Sequence, residues 1–287
     1  MSLRVGFIGL GNIGKPMAQR LVKGGFDTIV FDVREEPCRE LAALGARVAR
    51  SYAEVAAGAA VIGICVRDDA DVRHVTLGPD GLIASAISGS VIAVHSTILP
   101  TTVHEVARAA SACGIGVIDA PMTGGAAGAE NGTLTYMVGG DAELLERCRP
   151  VFATSARCIV HTGVLGSGMI TKLCNNLIGY LSFLSVYEAT LLAQHGGVAI
   201  ESLLEVTRAN GYMTDTMASF LRFRQLTEAQ PADLALQARA HTFTDLAEKD
   251  LAATLAFARE IGITLPGTAV CQQLMARVFG LRDDKRR

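Results

Sequence analysis

The chain has 287 residues, of which half are hydrophobic and 19% charged, with a formal net charge of −2. At roughly 100–200 residues per domain this length predicts two domains, and so apolar a composition excludes a disordered, solvating chain. A protein this close to neutral carries no global basic field, which argues against a dedicated nucleic-acid binder.

In chain order, Arg4–Gly9 reads as a strand, Asn12–Lys23 as a helix and Thr28–Asp32 as a second strand. Glu35–Ala43 reads as a helix, with Pro37 tolerable in its first turn. Val61–Val66 is a continuous apolar run, the pattern of a strand buried on both faces. Val91–His95 and Gly116–Asp119 have the same character, with helices over Pro100–Cys113 and Ala142–Val151. Strands alternating with helices predict βαβ units and a mainly parallel sheet.

The pattern changes near residue 163. Gly166–His195 reads as one long helix without proline, apolar on most faces and so expected to be buried nearly all round. Lys172, Asn175, Asn176 and Glu188 interrupt it, which argues against a membrane span. Helical patterns continue over Ile200–Asn210, Met217–Arg222, Thr242–Ile261 and Gly267–Phe279. The reading is therefore α/β: an N-terminal, mainly parallel sheet with helices over residues 1–163, then an all-α domain over 164–287 that begins with the long helix. The charged tail Arg282–Arg287 is expected to fray. No targeting segment is visible, and the longest apolar run, Val55 to Val66, is too short to span a bilayer.

The seven cysteines, Cys38, Cys65, Cys113, Cys148, Cys158, Cys174 and Cys271, are scattered and include no C-x-x-C pair. Neither a metal site nor a disulfide framework is expected, and most should be small buried hydrophobes, which fits a reducing cytoplasm.

Gly9-Leu10-Gly11-Asn12-Ile13-Gly14 is a G-x-G-x-x-G sequence that follows an apolar strand and opens an amphipathic helix. In that context it predicts a dinucleotide site: Gly9 permits the tight turn, Gly11 lets the backbone approach a pyrophosphate, and Gly14 allows close helix–strand packing. Unpaired N–H groups at the helix start face the anion. Asp32, closing the next strand, can accept hydrogen bonds from the ribose hydroxyls and would repel a 2′-phosphate, which favours NAD, with NADP possible. Arg34 is either a 2′-phosphate partner or a solvated side chain.

Two further patterns carry chemistry. Asp119-Ala120-Pro121-Met122-Thr123-Gly124-Gly125-Ala126-Ala127-Gly128-Ala129 offers backbone N–H groups and a hydroxyl with little bulk, either a carboxylate cradle or a flexible surface loop. Lys172 and Asn176 lie four apart, on one face of an otherwise apolar helix. A lysine there is either solvated or faces a polar cavity, where burial can bring its pKa into a range useful for proton transfer.

Together these motifs resemble the β-hydroxyacid dehydrogenase family, which includes 3-hydroxyisobutyrate dehydrogenase and tartronate semialdehyde reductase. The resemblance runs over nearly the whole chain: Gly6–Gly14 for the cofactor signature, Asp119–Gly128 for the substrate loop, Gly166-Ser167-Gly168-Met169-Ile170-Thr171-Lys172-Leu173-Cys174-Asn175-Asn176 for the catalytic helix, and Lys249-Asp250-Leu251 for a motif near the nicotinamide. It implies Lys172 as general acid/base, with Asn176 holding the substrate or orienting the lysine. It implies that Thr123, Gly124 and Gly125 bind the substrate carboxylate, that Thr97 of Ser96-Thr97-Ile98-Leu99-Pro100 stands near the nicotinamide, and that Lys249 closes over the cofactor. It also implies a doubly wound Rossmann domain joined by a long helix to an all-α domain, in a dimer or tetramer acting on a small carboxylate substrate; no nucleic-acid or membrane partner is expected from the charge and the apolar runs. Where the family has serine and valine, this chain has Thr123 and Met122, which narrows and reshapes the pocket. Where the family often has Leu-Pro, it has Val66-Arg67, whose arginine either contacts cofactor phosphates or points to solvent. Two rivals remain: an imine reductase of the same architecture, which typically lacks the lysine, and a non-catalytic dinucleotide-binding module, against which Lys172, Asn176 and Thr123 together count.

Overall fold

A computed structural model describes residues 3–281. The first half contains β1 (Arg4–Ile8), α1 (Gly14–Lys23), β2 (Asp27–Phe31), α2 (Glu35–Ala43), β3 (Arg47–Val48), α3 (Tyr52–Ala56), β4 (Val61–Ile64), α4 (Asp69–Leu77), β5 (Val91–Val94), α5 (Pro100–Ser111) and β6 (Gly116–Asp119). It goes on through β7 (Met122–Thr123), α6 (Gly125–Asn131), β8 (Leu134–Gly139), α7 (Ala142–Phe152) and β9 (Ala156–Gly163). Five helices follow: α8 (Ser167–His195), α9 (Ile200–Ala209), α10 (Asp215–Ala229), α11 (Leu234–Glu260) and α12 (Pro266–Val278). Among the described residues no strand follows β9.

The strands form one sheet in the order β3-β2-β1-β4-β5-β6-β8-β7, with β9 also paired to β8. The first six positions are parallel. β6 meets β8 antiparallel, and β9 runs parallel to β8. The chain leaves β1 toward β2 and β3 and returns through β4 on the other side. That is the topological switch point, and the crevice beyond the strand ends there is where doubly wound sheets bind ligands.

Burial follows the two-residue period of the strands. Val5, Phe7, Val61, Val91 and Ala93 face one core, with Met17, Ala18, Leu21, Cys148 and Phe152. Ile8, Ile62, Ile64, Ile92 and Val94 face the other, with Val55, Val72, Val103 and Val106. β4 and β5 are buried throughout, as their unbroken apolar runs require.

The chain divides into two compact units, Met1–Lys172 and Leu173–Arg287, so the division falls inside α8 rather than ahead of it. The helical unit has its own core, in which Phe183 stacks on Phe220 at 4.5 Å between ring centroids. Arg224, 7% exposed, lies 4.1 Å over the Tyr187 ring and donates to the carbonyls of Arg277 and Val278, capping the end of α12.

Several expectations need correction. The segment after Asp119 is not a loose loop: β7 and α6 form within it, because Met122 and Thr123 pair with Tyr136 and Thr135 of β8. The alternation in Leu134–Gly139 and the exposed strand Ala156–Gly163 were not legible as strands. Only Cys38, Cys148 and Cys271 are fully buried, while Cys113, Cys158 and Cys174 are exposed. Nor is α8 buried all round within one chain: Ile178 is 68% and Leu192 77% exposed. By length and composition α8 could cross a membrane, yet its Val186 and Tyr187 belong to the core of the helical unit. The expected fraying of Arg282–Arg287 falls outside the described residues.

At the centre of the first unit, His95 lies stacked on Phe7 and edge-on to Tyr136 and Phe152. Its Nδ1 is 2.8 Å from the Ala120 carbonyl, which can only accept, so that nitrogen carries the proton. Burial lowers its pKa to about 4. Unfolded histidine protonates near 6.5, so between these values the unfolded chain binds the extra proton and stability falls with pH. The expected loss is about 2 kcal/mol between pH 7 and pH 5. Thermal melts across that range should show this slope in the wild type and a flattened one in His95→Phe. Equal slopes would refute the assignment.

Candidate active site

The glycine turn fits a dinucleotide. Gly9 has φ +91°, and a Cβ there would collide with the Cys65 carbonyl, as one on Gly14 would with the Gly9 carbonyl. At Gly11 a Cβ would meet nothing within 4 Å, so the backbone faces open space on that side. α1 begins with no side-chain cap and no acidic residue in its first turn, in contrast to α4 and α7, which Asp68 and Asp141 cap. Lys15 N and Met17 N bond to the Gly11 and Ile13 carbonyls and Pro16 has no N–H, so an anion here would meet the turn itself, Gly11 to Gly14, rather than the following residues of the helix.

Asp32 anchors this turn. Its Oδ2 accepts from Leu10 N at 2.6 Å, and its Oδ1 accepts from Arg34 N at 2.8 Å and Arg34 Nε at 3.2 Å. Burial pushes the carboxyl up, but the Arg34 and Leu10 N–H groups and the Arg34 guanidinium together hold it below its ordinary value. Arg34 also donates to the Leu10 carbonyl at 3.1 Å. It thus clips the turn to the end of β2 while remaining 61% exposed.

The neighbouring loops are tied together. Val66 N donates to Ser96 Oγ at 2.8 Å, and Leu99 N donates to Asp69 Oδ1 at 3.0 Å. These bonds join the loop after β4 to the loop carrying half-buried Thr97. Val66 also lies beside Gly9. Arg67 departs from this group: 84% exposed, it folds back on Asp71, with Nε 2.8 Å from the carboxylate.

Thr123 is half-buried at the end of β7. Gly124 and Gly125 follow with φ of +124° and +64°, and the space over Gly125 is open. At the head of this segment stands Asp119, fully buried, whose Oδ1 accepts from Gly166 N at 2.8 Å and Oδ2 from Met169 N at 2.7 Å. Burial raises its pKa, and the two N–H groups oppose that shift. The carboxylate can reach the helix start only because side chains are missing around it. A Cβ on Gly168 would stand 2.5 Å from the Met137 carbonyl oxygen and 2.8 Å from Asp119 Oδ2, and one on Gly139 would collide with Oδ1. Lys172 follows at half-buried depth within the early turns of this helix.

In the helical unit, Asn176 Nδ2 donates to Asp250 Oδ2 at 2.7 Å, Tyr180 donates to the same oxygen at 3.3 Å, and Lys249 Nζ donates to Oδ1 at 2.7 Å. Asn176 and Lys249, predicted separately, are thus held by one carboxylate. The roles of Asp119, Asp250 and Tyr180 were not drawn from the sequence. A signal existed for Asp250, which falls on the apolar stripe Ala247, Leu251, Thr254 and Ala258, where an acid is out of pattern. Among the described residues no cluster of three or more His, Cys, Asp or Glu could hold a metal.

Residues 4–163 match the family described as the NAD binding domain of 6-phosphogluconate dehydrogenase. Residues 166–285 match the NAD-binding family of NADP-dependent 3-hydroxyisobutyrate dehydrogenase. An uncharacterised oxidoreductase of Mycobacterium tuberculosis is 37% identical over 97% of this chain and 94% of its own length. An NAD-dependent L-serine dehydrogenase of Pseudomonas aeruginosa is 40% identical over 71% of this chain and 69% of its own. The structure of 3-hydroxyisobutyrate dehydrogenase from Mycobacterium tuberculosis with L-serine superposes with a TM-score of 0.83 at 30% identity, covering 96% of this chain and 94% of that one.

The Asp119 clasp gives a stability prediction. In Asp119→Asn the amide oxygen can accept from one of the two N–H groups, and its NH2 is turned against the other. The expected cost is about 1–3 kcal/mol, the scale of a buried donor left unpaired, read as a lowered midpoint in urea. An unchanged midpoint would refute the clasp.

Proposed function

The chain belongs to the β-hydroxyacid dehydrogenase family, and we propose that it interconverts a small β-hydroxy acid and the corresponding aldehyde or keto acid, with Lys172 as general acid/base. It is an oxidoreductase with an NAD-binding Rossmann domain. When bound, the nicotinamide supplies the acceptor or donor of a hydride. In the oxidative direction the alcohol carbon gives up that hydride while Lys172 takes the hydroxyl proton, and reduction returns both. Thr123 and the Gly124–Gly125 backbone are suited to the substrate carboxylate, with the Thr123 methyl narrowing the pocket there, whereas Met122 is packed in the hydrophobic core of the first unit. Thr97 and Val66 would line the nicotinamide side. Exposed Ile178 and Leu192 on α8 support a homo-oligomer that covers them.

The observation that carries this reading is that an anion-ready glycine turn and a clamped helix start bearing Lys172 both stand at the carboxyl edge of the same parallel strands. The test is a panel of hydroxy acids, including L-serine and 3-hydroxyisobutyrate, followed by NADH or NADPH absorbance. With the best substrate, Lys172→Ala should lower turnover by roughly a hundredfold or more, with folding and cofactor binding retained. Lys172→Arg should not rescue it, since a guanidinium hardly deprotonates near neutral pH. Near-wild-type turnover in Lys172→Ala would sink the assignment.

For the cofactor we propose NAD over NADP. The Asp32 carboxylate stands where a 2′-phosphate would have to come, and Arg34 is already engaged by Asp32 and the Leu10 carbonyl. Asp32→Ser should weaken binding of both cofactors, because Leu10 N loses its acceptor. It should also raise the NADP-to-NAD ratio of kcat/KM by about tenfold, equivalent to ~1.4 kcal/mol of relieved repulsion. A wild type that already prefers NADP would overturn this and make Arg34 the deciding group.

A further inference from the structure

Asp250 is 2% exposed, yet it sits on the apolar face of α11. A carboxylate in such a position is costly unless donors meet it. Three do: Asn176 Nδ2 and Tyr180 Oη from α8 reach Oδ2, and the neighbouring Lys249 Nζ reaches Oδ1. The consequence for Asn176 is one of polarity. A side-chain amide has a donor end and an acceptor end, and a carboxylate paired with an ammonium can only accept. The NH2 of Asn176 must therefore face Asp250. Its Oδ1 points the other way, where it takes one bond from Asn175 Nδ2 at 3.2 Å and keeps a second lone pair.

We infer that Asp250 is a positioning residue that fixes Asn176 as a hydrogen-bond acceptor, so that the group Asn176 receives in the reaction is a donor, the reacting hydroxyl, and not the substrate carboxylate. The inference rests on Asn176 belonging to the reaction site proposed above. A substrate carboxylate is refused at Asn176, because two acceptors would face each other. The hydroxyl, held as a donor by Oδ1, has its oxygen oriented before its proton leaves. In the ketone or aldehyde direction the same oxygen gains its proton before Asn176 holds it fully.

The experiment is a double-mutant cycle on the full-length enzyme with the best hydroxy acid of the panel. Asp250→Asn lets the Asn176 amide turn over, because the new side chain can donate as well as accept. It should lower kcat at least tenfold in the wild-type background and less than twofold in an Asn176→Ala background. Any loss of thermal stability should persist in both. Losses in kcat that multiply across the cycle would overturn the inference, since Asp250 would then act independently of Asn176. So would an unchanged kcat in Asp250→Asn.

A second measurement needs neither a substrate nor a stable Asp250 variant. In ¹⁵N-labelled wild-type enzyme, the side-chain amide protons of Asn176, assigned by their loss in Asn176→Ala, should exchange with solvent at least tenfold more slowly than those of exposed Asn210. Equal exchange would overturn the inference. The two levels of failure separate cleanly. If Lys172→Ala kills turnover and the cycle shows no coupling, the role of Asp250 fails alone. If Lys172→Ala remains active, the reading of the site fails, and amide exchange decides the orientation of Asn176 by itself.

Discussion

One buried carboxylate organises the reaction end of the first unit. Asp119 closes β6, turns the chain into the segment that carries Thr123, and receives the N–H groups that open α8. A helix start carries unpaired donors and a partial positive charge, so a carboxylate aimed at it is stabilised. The same carboxylate is fully buried, and that raises its pKa. The two effects balance only at close range. Gly139 and Gly168 provide that range, since any side chain at either would displace the carboxylate or the backbone around it. The direction of α8, and with it the position of Lys172, therefore follows from an interaction made outside the helix. The segment that carries Thr123 and the start of α8 share one anchor, so they cannot drift apart without breaking it.

The cofactor end is built on the opposite principle, in which the protein leaves its donors unused. α1 enters with neither a capping side chain nor an acid, next to a turn whose middle glycine faces open space. Asp32, the acid nearest the α1 turn, is spent on Leu10 N and Arg34, where it holds the turn in shape without filling the anion site. A dinucleotide would thus meet preset donors at its pyrophosphate and a preset acceptor at its ribose.

Much of this was legible in the sequence because the parts are local. The apolar runs of β4 and β5 and the G-x-G-x-x-G turn with Asp32 closing the next strand declare themselves over a few residues. So does the spacing of Lys172 and Asn176. What stayed hidden depends on pairing at a distance. β9 reads as an exposed, irregular segment and is a strand only because β8 lies beside it with register shifts. β7 is two residues long and exists only through Tyr136 and Thr135. Asp119 looked like the first residue of a loop because its partners, Gly166 and Met169, lie in a segment that the sequence pattern assigned to another element. α11 is longer at its start than its apolar period predicted, since Asp233 caps it by bonding Ala235 N and Leu236 N, a local signal masked by the polar residues that follow. The expected burial of α8 failed for a different reason: hydrophobicity on every face states a need for partners, and one chain does not supply them all.

Deeply buried ionisable groups of both units are committed to structural partners. His95 lies deep among the strands, but its ring is packed between aromatic side chains, its Nδ1 is committed to the Ala120 carbonyl, and burial keeps it neutral well below physiological pH. It serves as a polar link between β5 and the start of the substrate segment. Asp119 and Asp250 are committed to structural donors in the same way. A carboxylate occupied by two backbone N–H groups, or by an amide, a phenol and an ammonium, is a poor base for a passing hydroxyl, because taking a proton would break bonds already made. Each acid instead constrains its own neighbours: Asp119 the start of α8 through backbone N–H groups, Asp250 the amide of Asn176 and the phenol of Tyr180. The polarity of the Asn176 amide is thereby set by the protein itself, since a carboxylate can only accept.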